Sequence, residues 1–174
     1  MDSRRIIITG RPGVGKTTLV MRVLEALERG GIATGGFYTK EIRRGVQRVG
    51  FSLTVIGGPS VTLASMDTPS KVRVGKYYLQ DVSGVLPELE ESLSRAEVLV
   101  IDEVGPMEMA IHELKAVIDR VLRDERPSLL TVHRSLKVEG RVFEVTTENR
   151  NRLLWEILNE LRKALGTARG SAVL

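Results

Sequence analysis

The chain has no cysteine. Disulfides and cysteine-ligated metal centres are therefore excluded. Aromatic residues make up only 4% of it, and no base-stacking module or recognition helix can be identified. Apolar runs are short, and none approaches the roughly 20 residues of a membrane span. The N-terminus leads into a charged strand rather than a signal peptide. A cytoplasmic chain without membrane association is therefore expected. There is no internal repeat and no low-complexity tract. The two histidines, His112 and His133, share no metal-ligand spacing and read as surface or helix-face residues.

What is present is ordinary for a soluble domain: 174 residues, 42% hydrophobic and 28% charged. That is enough for one domain over residues 1–174 with a proper core. The formal net charge of +4 suits an anionic ligand. The basic residues are scattered, so a solvated surface is the plainer reading and nucleic acid is a disfavoured partner.

The most specific stretch is Gly10-Arg11-Pro12-Gly13-Val14-Gly15-Lys16-Thr17, followed by Thr18. It matches G-x-x-x-x-G-K-[ST], the phosphate-binding loop of P-loop NTPases. Arg4 to Thr9 before it is a β-branched run with strand character. Thr18 to Arg29 after it repeats apolar residues at Val20, Val23, Leu24 and Leu27, which is helix spacing. Glycines let the backbone approach phosphate oxygens, and the loop and helix N–H groups then act as donors. Lys16 is expected to reach the β- and γ-phosphates, and the Thr17 hydroxyl to ligate Mg²⁺.

A phosphate site of this kind also needs an acid near the metal. Val98 to Ile101 reads as a central strand buried on both faces, with Asp102 and Glu103 at its carboxyl end. Asp102 is the candidate second magnesium ligand, and Glu103 the candidate general base for an attacking water. An adjacent Asp-Glu pair favours hydrolysis over transfer to an acceptor.

Along the chain, Ala33 to Ile42 and Val49 to Ile56 read as paired strands around an Arg44–Gln47 turn. Val61 to Ala64 follows as a third strand and Val72 to Leu79 as one further extended segment. Together they suggest a β-rich antiparallel insertion over about 33–79, after the first βα unit. Asp81 to Arg95 reads as a helix with Pro87 near its start. A single helix is expected through Met107, Ala110, Ile111, Leu114, Val117, Ile118 and Val121. Strands at Leu129–Val132 and Arg141–Val145 follow. A final helix capped by Thr146 or Thr147, with Glu148 near its positive end, buries Leu154, Ile157, Leu158, Leu161 and Leu165. Gly166 is expected to stop it, leaving 167–174 as a frayed tail. Trp155 reads as core. The expected fold is α/β, a mainly parallel sheet with helices on both faces.

Several motifs together resemble the thermophile-type (cancer-related) nucleoside-triphosphatase family. They are Ile7 to Leu19, Gly36-Phe37-Tyr38-Thr39-Lys40-Glu41, Arg48-Val49-Gly50-Phe51, Val74-Gly75-Lys76-Tyr77, Ile101 to Glu108, and Thr147-Glu148-Asn149-Arg150. The resemblance spans about residues 6 to 160. It implies a RecA-like P-loop core and slow, Mg²⁺-dependent hydrolysis of several nucleoside triphosphates, ATP, GTP, CTP and UTP among them. This chain departs from the family pattern at Lys40, where glutamate is usual, at Pro106, where lysine is common, and in a short 133–140 segment.

The remaining candidates carry two readings each. Glu41 and Arg43 either face the nucleotide or lie on a solvated hairpin. Glu108 either supports the acidic pair or is a helix N-terminal acid. Thr131 could sense the γ-phosphate and Arg134 offset transition-state charge. Asn149 and Arg150 fit capping and packing as well as a site. No arginine finger is evident, so a partner or self-association could supply one to a monomer or weak oligomer. The rival functions are a nucleotide or small-molecule kinase, and an NTP-binding switch with a protein or RNA partner.

Overall fold

The computed structural model describes residues 4–173, with side chains to residue 166. Nine strands form one sheet in the order β5-β6-β4-β3-β2-β7-β8-β1-β9. β1 is Arg5–Thr9, β2 Thr34–Arg44, β3 Gln47–Val55, β4 Ser60–Ser65, β5 Arg73–Val74, β6 Tyr77–Leu79, β7 Val98–Val104, β8 Ser128–Val132 and β9 Arg141–Glu144. The helices are α1 (Lys16–Arg29), α2 (Leu86–Arg95), α3 (Pro106–Ala110), α4 (His112–Arg123) and α5 (Arg150–Val173).

The sheet is mixed rather than mainly parallel. β2, β7, β8, β1 and β9 run parallel to their neighbours in that series. β3, β4, β6 and β5 extend the same sheet with antiparallel pairings. β2, read from sequence as the start of the insertion, pairs parallel with β7 through Thr34–Tyr38 and antiparallel with β3 through Phe37–Arg44. One long strand thus joins both halves.

Period-two alternation sorts the central strands between two cores. Ile6, Ile8, Val98, Val100 and Leu129 pack with α1 and α5. Ile7, Leu99, Ile101 and Leu130 pack on the opposite face with α2 and α4. Helices cover both faces, which is why the β7 run reads as continuously apolar. Each fully buried leucine or isoleucine contributes about 1.5–3 kcal/mol. Leu154, Ile157, Leu158, Leu161 and Leu165 of α5 are all buried as expected.

Four local expectations are corrected. The segment 72–79 is a hairpin, β5 and β6 around Gly75, whose φ of 59° reverses the chain. The helix expected across Met107–Val121 is two helices, because Ile111 is extended (φ −97°, ψ 114°) and buries its side chain between them. Trp155 is 63% exposed, because it sits between the buried stripes of α5, where helical phase turns it outward. α5 also runs past Gly166 to Val173, since a glycine lowers helix propensity by about 1 kcal/mol without forbidding helix. Of the tail expected to fray, the side chains of 167–173 and all of Leu174 lie outside the described residues.

Candidate functional site

The site assembles at the carboxyl ends of β1, β7 and β8, next to the start of α1. The glycine loop leaves β1 with three left-handed or near-left-handed glycines: φ is 152° at Gly10, 77° at Gly13 and 101° at Gly15. Gly10 also has no room for a side chain, since a Cβ there would lie 2.9 Å from the Val145 carbonyl oxygen. Arg11, Pro12 and Gly13 form the exposed crest, while Val14 and Gly15 are half-buried. Val14 closes a turn by donating its N–H to the Arg11 carbonyl at 3.3 Å. Gly15 is the N-cap of α1 and offers no side-chain cap, so the first-turn N–H groups and the positive end of the helix dipole face the loop. The Lys16 ammonium folds back and donates to the Gly10 carbonyl at 2.7 Å.

Asp102 is 3% exposed. Its Oδ1 accepts the Thr131 hydroxyl at 2.6 Å, and its Oδ2 is buried without a hydrogen-bond partner. Burial pushes its pKa up, while the Thr131 hydrogen bond, the Thr17 hydroxyl and the Lys16 charge oppose the rise. The structure therefore brings Lys16 and Thr17 of the loop to Asp102 of β7. Glu103 is half-buried. Its pKa is raised by burial and by Asp102 and lowered by Lys16. Lys16 is thus the cation felt by both acids. The pair lies inside β7 rather than after it, at the point where the β7–β8 register shifts between Ile101 and Val104.

Glu108, with support of the acidic pair as one of its two expected readings, joins these acids. It is buried at 5% exposure, and burial, reinforced by the charges of Glu103 and Asp102, pushes its pKa up to about 8. A Cβ on Gly105 would sit 2.8 Å from Glu103 Oε1 and 3.0 Å from Glu108 Oε1, so the two carboxyls share the space beside that glycine. This favours a supporting position for Glu108 over a wet helix-start acid. Sequence spacing alone offered no sign of its burial. Tyr38 was also missed as a neighbour: it is half-buried and paired with Asp102 across the β2–β7 ladder.

The other candidates separate. Thr131 is fully buried and donates its hydroxyl to Asp102, so it holds the acid rather than facing solvent. Glu41 is ion-paired to Arg43 at 2.6 Å and Arg48 at 3.1 Å on the β2–β3 hairpin, the solvated reading. Arg134 is exposed. His133 is half-buried, with Nδ1 2.8 Å from the Ser135 hydroxyl. Its pKa is lowered by burial and by the charges of Arg134 and Lys16, so the segment after β8 borders the loop. His112 is exposed on α4. Thr146, not Thr147, holds the start of α5. Its N–H donates to Asn149 Oδ1 at 2.8 Å, and its hydroxyl accepts from the Asn149 N–H at 3.2 Å. Among the described residues no group of three or more His, Cys, Asp or Glu is arranged to hold a metal ion, and no helix is long and apolar enough to cross a membrane.

Comparison with known proteins places this arrangement. A family model described as NTPase matches residues 5–158. The chain is 44% identical over 163 residues to nucleoside-triphosphatase THEP1 of Metallosphaera sedula, covering 94% of this chain and 89% of that protein. It is 39% identical to the Methanocaldococcus jannaschii protein of the same name, with coverage of 92% and 99%. Among solved structures, THEP1 of Aquifex aeolicus superposes with a TM-score of 0.74 at 31% identity, covering 90% of this chain and 98% of that one. A human cancer-related nucleoside triphosphatase gives 0.73 at 30% identity, with coverage of 90% and 96%. With the loop, the acid pair and these likenesses in agreement, the chain belongs to the NTPase family.

Proposed function

We propose that this protein hydrolyses nucleoside triphosphates to the diphosphate and phosphate, with Mg²⁺, slowly and with broad base tolerance. One observation carries the reading: the loop's Lys16 and Thr17 converge with a buried aspartate that has one oxygen unpartnered. The printed names of the relatives support it.

The residues present fit a magnesium ion. Asp102 Oδ2 is a buried oxygen without a hydrogen-bond partner, and the Thr17 hydroxyl is near enough to the Asp102 carboxyl to oppose the rise of its pKa. Thr17 and Asp102 would hold the ion, which would supply positive charge to offset that of the phosphates. The chain's own groups do the rest. The loop and α1 N–H groups hold the phosphates, and Lys16 binds the β- and γ-oxygens. Glu103 accepts the proton of the attacking water, and Thr131 fixes Asp102. Glu103 is suited to that role because its partial burial and the Asp102 charge raise its basicity. Turnover is slow in this reading because a lysine, not an arginine finger worth about 10³–10⁵ in rate, carries the transition-state charge.

The five parallel strands, with β8 between β1 and β7, support a RecA-like core. We further read the chain as one domain, a monomer or weak oligomer, working in the cytoplasm on nucleotides rather than nucleic acid.

The test is phosphate release from ATP, GTP, CTP and UTP with Mg²⁺, with mass analysis of products. Glu103→Gln should cut the rate by roughly 10²–10⁴ while leaving binding intact. Activity no higher than that of Lys16→Ala would overturn the reading, and transfer to an acceptor would replace it with a kinase.

A further inference from the structure

β2 overruns its parallel partner. The β2–β7 ladder ends at the Tyr38–Asp102 pair, while β2 continues to Arg44 and is paired there with β3. The strand therefore carries its next residues past the acid pair, along the edge of the sheet where the glycine loop lies. We propose that Lys40, the first of these on the loop's face, is a further catalytic residue: its ammonium binds the γ-phosphate and offsets the charge that builds there during hydrolysis. The inference rests on the nucleotide reading of the loop and adds a second cation to Lys16.

Alternation along β2 fixes the face that Lys40 takes. Phe37 is buried on the α2 and α4 side. Tyr38 packs with the opposite core, as does Val14 of the glycine loop. Two residues on, the Lys40 Nζ lies over the Tyr38 ring, 5.3 Å from its centroid. Lysine, tyrosine and loop thus share one side of the sheet. Two residues along a strand span about 6.7 Å, and neighbouring strands lie about 4.8 Å apart. The Lys40 Cα therefore stands about 8 Å from that of Asp102, a gap that the flexible four-carbon stem of a lysine can bridge.

The terminal phosphate lies on this side. Lys16 and Thr17 meet Asp102 of β7, and β2 is the next strand outward from β7. A cation reaching in from β2 thus meets the γ-phosphate rather than the rest of the nucleotide.

Lys40 differs from the other cations of the β2–β3 hairpin. Arg43 and Arg48 are ion-paired to Glu41, and Arg44 to Asp67. Lys40 is exposed and has no carboxylate partner among the described residues. Its neighbour Glu41 stands opposite Phe51 in the ladder, and Phe51 packs on the α2 and α4 side. An exposed cation–π contact is weaker than a charge-assisted bond to a phosphate oxygen. The Tyr38 ring therefore holds the ammonium beside the site and yields it to an arriving phosphate.

In the step itself the water oxygen bonds to the γ-phosphorus. The bond from that phosphorus to the bridging oxygen breaks, its electron pair leaves with the diphosphate, and Glu103 takes the water's proton. Lys40 exchanges neither proton nor electrons and supplies charge alone.

The test reads the terminal phosphate separately from the rest of the nucleotide. Binding of ADP and of the non-hydrolysable β,γ-imido analogue of ATP, each with Mg²⁺, is measured by calorimetry on the full chain, beside kcat and KM for phosphate release from ATP. Lys40→Ala should weaken the triphosphate analogue by about tenfold and lower kcat by about tenfold or more, with ADP binding unchanged. Lys40→Arg should restore most of both. Arg43→Ala removes the same charge from the same hairpin and should change neither. Equal weakening of ADP, an effect of Arg43→Ala as large as that of Lys40→Ala, or parent values in Lys40→Ala would each overturn the proposal. A parent that releases no more phosphate than Lys16→Ala, yet loses its preference for the triphosphate with Lys40→Ala, would sink the hydrolase reading and leave the γ-phosphate contact standing.

Discussion

The Thr131 hydroxyl donates to Asp102 Oδ1 at 2.6 Å, linking β8 to β7 at their carboxyl ends. Both side chains are buried. One carboxylate oxygen is thereby fixed, and the other, Oδ2, is buried without a hydrogen-bond partner. The bond forms where the β7–β8 ladder loses its regular register, so a side-chain link replaces backbone pairing beside the acid.

Thr131→Val keeps the shape and removes the donor. Hydrogen bonds to charged groups are worth about 1.5–3 kcal/mol. The Mg²⁺ concentration for half-maximal phosphate release should rise by about tenfold or more, with the fold intact by circular dichroism. An unchanged magnesium dependence would remove Thr131 from the site.

Glu108 gives a pH signature. Its folded pKa of about 8 lies above the ordinary 4.5, so the folded chain keeps a proton that the unfolded chain releases between those values. This group's contribution to stability is therefore greatest below pH about 4.5 and declines as pH rises to about 8. Glu108→Gln cannot ionise. Its Tm advantage over the parent should grow from pH about 5 to pH about 9, and a Tm difference independent of pH would contradict the assignment.

Position on α5 separates two large apolar residues. Leu161 is 0% exposed and Trp155 63% exposed. Leu161→Ala should cost about 2–5 kcal/mol in denaturant unfolding, and Trp155→Ser should stay within about 0.5 kcal/mol. A large loss for Trp155→Ser would mean that its indole is covered.

Gly36 joins β2 to β7 at close range. It has φ 129°, and a Cβ there would fall 1.9 Å from the Val100 carbonyl oxygen. Gly36→Ala must move one of the two strands that carry Tyr38 and Asp102. It should lower both Tm and phosphate release, whereas Gly45→Ala, at an open turn, should lower neither by as much. Equal effects would show that the strand approach is not limiting.

The sequence by itself determined the strand-loop-helix unit around Gly10–Thr17, the doubly buried β7 run, the acid pair on it and the buried face of α5. Each is written in local spacing, because glycine freedom, strand alternation and helical phase act over a few residues. Tertiary structure alone decided that Asp102 lies beside Lys16 and Thr17, that Thr131 serves the acid, that Glu108 is buried beside Glu103, and that Arg150 lies over Gly15. These pairs are distant in sequence or turn on burial, so no local pattern encodes them. The break at Ile111 was likewise set by what packs against the two helices, whereas the outward face of Trp155 follows from the helical phase of the buried stripe on α5.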